Sequence, residues 1–267
     1  MEHKFLQSEN GTVHYWVTKP AKSGAKCIVF THGLTANHTM FEKQIDFFKD
    51  EYCVILWDVP LHGLSVPYKD FSYRQAALEL KGILDKEHIE KAFLVGMSMG
   101  GYPCQMFGSM FPQKVEGFVA LDTTPFGIAY YSKTDLWWLK QVEPVAKWFS
   151  DKMLRESMAK SVSKTPYSYN KMKEMLNPLK KEQIIQQMGI AYGQFAVENK
   201  DMTFPFPVLI LLGDSDKTGK VKKYCCTWAQ KTGYPLHIIR NAAHFANGDN
   251  PQQVNSEIKN FIEKSIS

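Results

Sequence analysis

Ala92-Phe93-Leu94-Val95-Gly96-Met97-Ser98-Met99-Gly100-Gly101 decides the fold. The apolar run Ala92–Val95 enters a G-x-S-x-G motif, Gly96–Gly100, and a helical stretch leaves it. The order is therefore strand, tight turn, helix, with a serine hydroxyl exposed on the turn. Glycines on either side leave room for helix and strand to approach closely. The helix that starts here aims free backbone N–H groups and the positive end of its dipole at any oxyanion developing beside Ser98. Pro103 falls early in that helix, where a missing N–H is tolerated. A short glycine motif alone also makes plain turns. Its strand–helix context assigns Ser98 as a nucleophile.

Further apolar runs occur at Cys27–Phe30, Cys53–Trp57, Gly117–Leu121, Val208–Leu212 and Leu236–Ile239, and the run through the motif extends over Ala92–Met97. They are nearly continuous rather than alternating, as in strands buried on both faces of a mostly parallel sheet. Helical patterns separate several of them. Phe71–Ile89 places Ala76, Leu80, Ile83 and Leu84 on one face, and the C-terminal stretch does so with Val254, Ile258, Phe261 and Ile262. Lys4–Glu9 and Thr12–Thr18 flank Asn10-Gly11, which predicts an opening hairpin on a two-residue turn. The expected fold is α/β: a mostly parallel central sheet with an N-terminal antiparallel hairpin, helices on both faces and an inserted helical lid.

The lid is the stretch where strand–helix alternation stops, 124–204, which divides a core formed by 1–123 and 205–267. It contains 12 Lys/Arg against 8 Asp/Glu, and so holds +4 of the chain's net +5. Trp137, Trp138, Trp148, Phe149, Met153, Met158, Met172, Met175, Met188 and Met202 lie in it. Most of these are expected to form the lid's own small core, with a few lining an adaptable apolar pocket.

Composition bounds the function. A 267-residue chain with 44% apolar and 22% charged residues is ordinary for a globular protein. A charge of +5 with no basic arm points to solubility and away from nucleic acid. The N-terminal residues carry no signal-peptide pattern, and no segment has the roughly 18 apolar residues of a membrane span. Cys27, Cys53, Cys104, Cys225 and Cys226 lack metal-site spacing and read as reduced, buried thiols, so a cytoplasmic location is expected. Cys225-Cys226 is not C-x-x-C, and no redox role is assigned to it.

A nucleophilic serine needs a base, and the base needs an orienting acid. His3, His14 and His88 fall in the hairpin or on a surface helix, and His237 lies within a strand. His32, His38 and His62 follow strands and read as hydrogen-bonded turn residues. His244, in Asn241-Ala242-Ala243-His244-Phe245-Ala246-Asn247, lies just past the last strand, where a base meets a nucleophile presented by another strand. Asp214 and Asp216 follow the Val208–Leu212 strand in the same way. The order serine, acid, histidine is the result.

With these residues in place, the chain resembles the α/β-hydrolase superfamily over nearly its whole length outside the lid. His32-Gly33 resembles the family's H-G turn, which implies Leu34 as one oxyanion N–H donor and Met99, directly after Ser98, as the second. Asp58-Val59-Pro60-Leu61-His62-Gly63-Leu64-Ser65 resembles D-x-P-G-H-G-x-S, with Leu61 where glycine is usual; that departure questions the shape of one turn. Gly213-Asp214-Ser215-Asp216 resembles G-x-x-D, which carries the acid to Asp216. Relatives with epoxide-hydrolase or haloalkane-dehalogenase chemistry place aspartate at the elbow, and serine argues against both. The resemblance implies a Ser98–His244–Asp216 triad hydrolysing a small or medium carboxylic ester. A carbon–carbon bond hydrolase, thioesterase, lactonase or small peptidase would use the same triad. Members that have lost catalysis and act as binding proteins usually lack part of the triad, and this chain retains all three residues. The expected partner is a small-molecule ester or acyl substrate, with no nucleic acid and no membrane insertion. No P-loop, G-x-G-x-x-G or clustered metal ligands call for a cofactor or metal.

Overall fold

The computed structural model describes residues 1–18 and 24–266. Eight strands, β1 (Glu2–Gln7), β2 (Thr12–Val17), β3 (Cys27–Thr31), β4 (Cys53–Trp57), β5 (Ala92–Met97), β6 (Val115–Leu121), β7 (Val208–Gly213) and β8 (Leu236–Ile239), form one sheet in the order β1-β2-β4-β3-β5-β6-β7-β8. β1 pairs antiparallel with β2 and β2 with β4, and the remaining pairs are parallel. The helices are α1 (Glu42–Phe48), α2 (Tyr73–Lys86), α3 (Gly101–Met110), α4 (Lys133–Lys147), α5 (Asp151–Val162), α6 (Pro166–Leu176), α7 (Lys181–Glu198), α8 (Val221–Thr232), α9 (Ala246–Asp249) and α10 (Pro251–Ile266).

The unbroken apolar runs of β3 to β7 follow from burial of both sheet faces, whereas β8, at the sheet edge, leaves His237 and Ile238 exposed. Ile28, Phe30, Val54, Leu56, Phe93 and Val95 pack with Phe48 of α1 and Val254, Ile258 and Ile262 of α10. Their neighbours Val29, Ile55, Trp57 and Leu94 point the other way, onto Leu80 of α2, Phe107 of α3 and Trp228 of α8. Each such side chain contributes about 1.5–3 kcal/mol through burial.

The opening hairpin is present, but its turn is wider than the expected two residues. Gln7 pairs with Thr12, leaving Ser8–Gly11 as a four-residue loop closed by Ser8 N–H donating to the Gly11 carbonyl at 2.9 Å. Gly11 also bridges to Tyr68, and a Cβ there would lie 2.7 Å from the Pro67 carbonyl. Contact with that distant segment, rather than local turn preference, sets the loop. α2 begins at Tyr73, where the Ser72 hydroxyl accepts the Gln75 N–H at 2.9 Å, and ends before His88.

Between β6 and β7, residues 124–204 form α4 to α7, and no strand occurs among them. Of the core expected from this segment's aromatics and methionines, only the methionine part forms, with Met158, Met188 and Met202 packed half-buried against the two main clusters. Met172 and Met175 are buried, whereas Trp137, Trp138, Trp148, Phe149 and Met153 are exposed, Trp148 to 91%. These exposed side chains belong to α4, the turn after it and the first turn of α5. Buried thiols are found at Cys27, Cys104 and Cys225; Cys53 is half-buried, and Cys226 is exposed on α8. Among the described residues, no helix is long and apolar enough to cross a membrane.

Candidate active site

The strand order reverses between β3 and β5: the chain leaves β3 for β4 on one side and β5 for β6 on the other. The carboxyl ends of those strands therefore open a crevice, the usual ligand position in such sheets. Ser98 stands there, directly after β5. Its φ of 51° lies in the left-handed region, which costs a non-glycine residue about 1–2 kcal/mol. The surroundings impose that conformation. A Cβ on Gly96 would come within 2.6 Å of the Gly100 carbonyl, and one on Gly100 within 2.2 Å of the Thr31 carbonyl. Only glycines let the elbow press against β3.

Sequence-distant loops converge on this serine. The Ser98 hydroxyl lies 2.8 Å from His244 Nε2, and His244 Nδ1 lies 2.8 Å from Asp216 Oδ2. His244 and Asp216 are buried. Burial opposes ionisation of Asp216, but the hydrogen bond and charge of His244 and the Thr218 N–H outweigh it and hold the carboxyl below its ordinary value. An ionised Asp216 accepts the Nδ1–H, which leaves Nε2 free to accept the serine proton.

Asp214 does other work. Its Oδ2 accepts the Asn241 N–H at 2.8 Å and its Oδ1 the Ala242 N–H at 3.3 Å, fixing the start of the His244 loop. The Ser215 hydroxyl and the Asn241 N–H lower its carboxyl to about 2. Leu34, on the loop after β3, and Met99, inside the short turn Ser98–Gly100 that leads into α3, border the same cavity as Ser98 and His244. Met99 N–H belongs to the first turn, where backbone donors lack intrahelical acceptors. The three loop histidines are turn residues as expected. His32 Nδ1 donates to the Gly33 carbonyl and its Nε2 accepts the Val59 N–H, and burial lowers its pKa to about 4. His62 bonds the Pro60 carbonyl, and burial, then His32, lowers it to about 3. His38 binds Asp58 at 2.9 Å. Leu61 adopts φ 72°, the conformation the usual glycine supplies, so the turn keeps its shape at a strain cost.

Two neighbours of the site carried no sequence signal. Asp122, one residue past β6, is buried, and its Oδ1 accepts the Gly213 N–H at 2.7 Å. Burial, then the Asp216 charge, pushes its carboxyl well above the carboxylate range. Asp122, Asp216 and His244 form the one group of three ligand-type side chains, within 4.8 Å, among the described residues. Both imidazole nitrogens are engaged, Nδ1 with Asp216 and Nε2 with Ser98, and Asp122 anchors the Gly213 backbone, so the group reads as the triad beside a buried backbone anchor rather than a metal centre. Asp249 ties the His244 loop to residues 164 and 165, accepting N–H bonds from Ala243, Lys164 and Thr165. Strand-end aspartates and helix-end aspartates are common, and only the fold brings these two to the site.

Two cavities meet at Ser98. One, about 350 Å³, has an aromatic wall that includes Tyr102, Tyr131, Tyr192, Phe195 and Tyr224, with Lys220 and Asp135 paired at 2.5 Å. The other, about 180 Å³, is lined by Met40, Met97, Met158, Met172 and Met188. Ser98, His244, Leu34 and Tyr192 border both.

Residues 26–251 match the family described as the alpha/beta hydrolase fold, and the chain belongs to that family. It is 23% identical over 248 residues to 3-oxoadipate enol-lactonase 2 of Acinetobacter baylyi, covering 89% of this chain and 88% of that protein. It is 26% identical over 255 residues to 2-(acetamidomethylene)succinate hydrolase of Mesorhizobium japonicum, covering 91% and 90%. Among solved structures, a thermophilic esterase from Thermogutta terrifontis superposes with a TM-score of 0.81 at 19% identity over 100% of both chains. These relatives are hydrolases of differing substrates, and the structural likeness shows the shared fold.

Proposed function

We propose that the protein is a serine hydrolase that cleaves a small or medium carboxylic ester through an acyl-enzyme on Ser98. The observation that carries this reading is the unbroken chain from Ser98 Oγ through His244 to Asp216, with 2.8 Å at each link. In the proposed sequence, Nε2 of His244 removes the serine proton as Oγ attacks the ester carbonyl. The N–H groups of Leu34 and Met99 receive the oxyanion, each such donor being worth about 10²–10³-fold in rate. Collapse expels the alcohol, which takes its proton from His244. Water, deprotonated by His244, then releases the acid. Asp216 holds the imidazole tautomer throughout, and residues 124–204 act as a lid over the pocket.

A predominantly apolar and aromatic wall favours a carboxylic ester with an uncharged acyl group. Lactone hydrolysis is the second reading, because a relative is named an enol-lactonase and a lactone presents the same acyl carbon. Turnover of nitrophenyl esters and of lactones by wild type and Ser98→Ala tests both. The variant is expected to lose about 10⁴-fold or more in kcat while staying folded. Retention of more than a tenth of the activity overturns the assignment of Ser98.

A further inference from the structure

A third space lies outside the two cavities at Ser98. It is a cleft of about 300 Å³ bordered by α4, α5 and α7, with Val145, Ala146, Phe149, Leu154 and Ser157 among its walls. No charged side chain lines it; its polar groups are Gln141, Ser157 and Ser161. Met158, Ser161 and Met188 wall both this cleft and the methionine-lined cavity at Ser98. Trp138 and Val142 wall both the cleft and the aromatic cavity.

We infer that the cleft holds the distal part of a long unbranched hydrocarbon chain whose carbonyl end lies at Ser98. The inference rests on the acyl-transfer reading and extends its substrate class from short esters to long-chain ones. Three observations carry it. The partition is built largely from Met158 and Met188, unbranched thioethers that change rotamer readily and so let a chain pass between spaces. The lining is hydrocarbon with scattered neutral polar groups, which suits alkyl carbon and neither acids nor sugars. The rim, Trp138, Val145 and Phe149, is exposed to 58%, 49% and 37%. Those apolar side chains form no core of their own, and a bound chain would take them out of water. The chain is either the acyl part or the alcohol part of the ester.

Two measurements test this. Saturated fatty acids from four to fourteen carbons are titrated calorimetrically into the Ser98→Ala protein, where no turnover interferes. Affinity should rise by up to about fourfold per methylene, continuing beyond the length that the 180 Å³ cavity holds. Ser157→Trp, which fills the cleft from an exposed position, and Val145→Glu, which places a charge at its rim, should flatten the series at long chains. In turnover, nitrophenyl alkanoates and long-alkyl acetates distinguish the acyl from the alcohol source. The ratio of kcat/KM for the ten-carbon to the four-carbon member should fall at least tenfold in both variants for one of the series, with thermal midpoints confirming the fold. Superimposable binding series for Ser98→Ala alone and for Ser98→Ala carrying either cleft substitution overturn the cleft. Chain-dependent binding without turnover of any ester leaves the cleft standing and overturns the acyl-transfer reading.

Discussion

At the residue scale, the two aspartates after β7 divide two tasks that their spacing alone does not separate. Asp216 reaches His244, while Asp214 holds the backbone of residues 241 and 242 that delivers it. Asp216→Asn should therefore lower kcat by about 10³–10⁴ with the fold intact, since the imidazole loses its tautomer. Asp214→Asn should cost on the order of 1 kcal/mol of stability and leave most of the turnover. Ester kinetics and thermal midpoints of both variants check the division, and the reverse result would exchange their roles. Ser98 and His244 were legible in the sequence because each sits in a loop whose strand is unmistakable. Asp122 was not legible: nothing local distinguishes it from any polar residue ending a strand, and its burial beside Asp216 exists only after β6 and β7 pair. Leu61 shows the opposite failure. The departure from glycine was visible, but the sequence could not say that the turn would keep φ at 72° and carry the strain.

At the element scale, the central strands β3 to β7 were legible because burial on both faces leaves few polar residues in them. The hairpin's turn and the packing of the inserted helices were not, because each depends on contacts outside the element. Gly11 answers to Pro67 and Tyr68, and the aromatics of α4 lie at the edge of a cleft instead of inside a core. The same distinction between crowded and open backbone makes a prediction for two glycines. Gly100→Ala drives a Cβ into the Thr31 carbonyl, 2.2 Å away, and should destabilise the protein by at least about 1–3 kcal/mol while displacing Ser98. Gly193, inside α7, has open space where a Cβ would stand, with no atom within 4 Å. It should accept alanine with a gain of about 0.5–1 kcal/mol. Urea midpoints of the two variants should move in opposite directions.

At the scale of the whole molecule, buried neutral histidines couple stability to pH. An unfolded histidine takes a proton near pH 6.5. His62 and His32 in the folded chain do so only near 3 and 4, because burial penalises the charged ring. Below about pH 6.5 the unfolded state binds protons that the folded state refuses, so the stability these residues leave intact above that pH is lost as pH falls. Asp122, pushed upward, acts in the opposite sense, so the difference between wild type and His62→Asn isolates the histidine. Between pH 7 and pH 5.5, wild type should lose about 1 kcal/mol more than the variant in urea unfolding. An equal loss would show that His62 carries no proton linkage. A fluorophosphonate probe followed by peptide mass mapping tests whether the loops after β5, β7 and β8 assemble one nucleophile. A single phosphonyl adduct on Ser98 is expected, formed far more slowly in His244→Ala and in Asp216→Asn. Labelling of another residue, or undiminished labelling of Ser98 in the His244 variant, would contradict it.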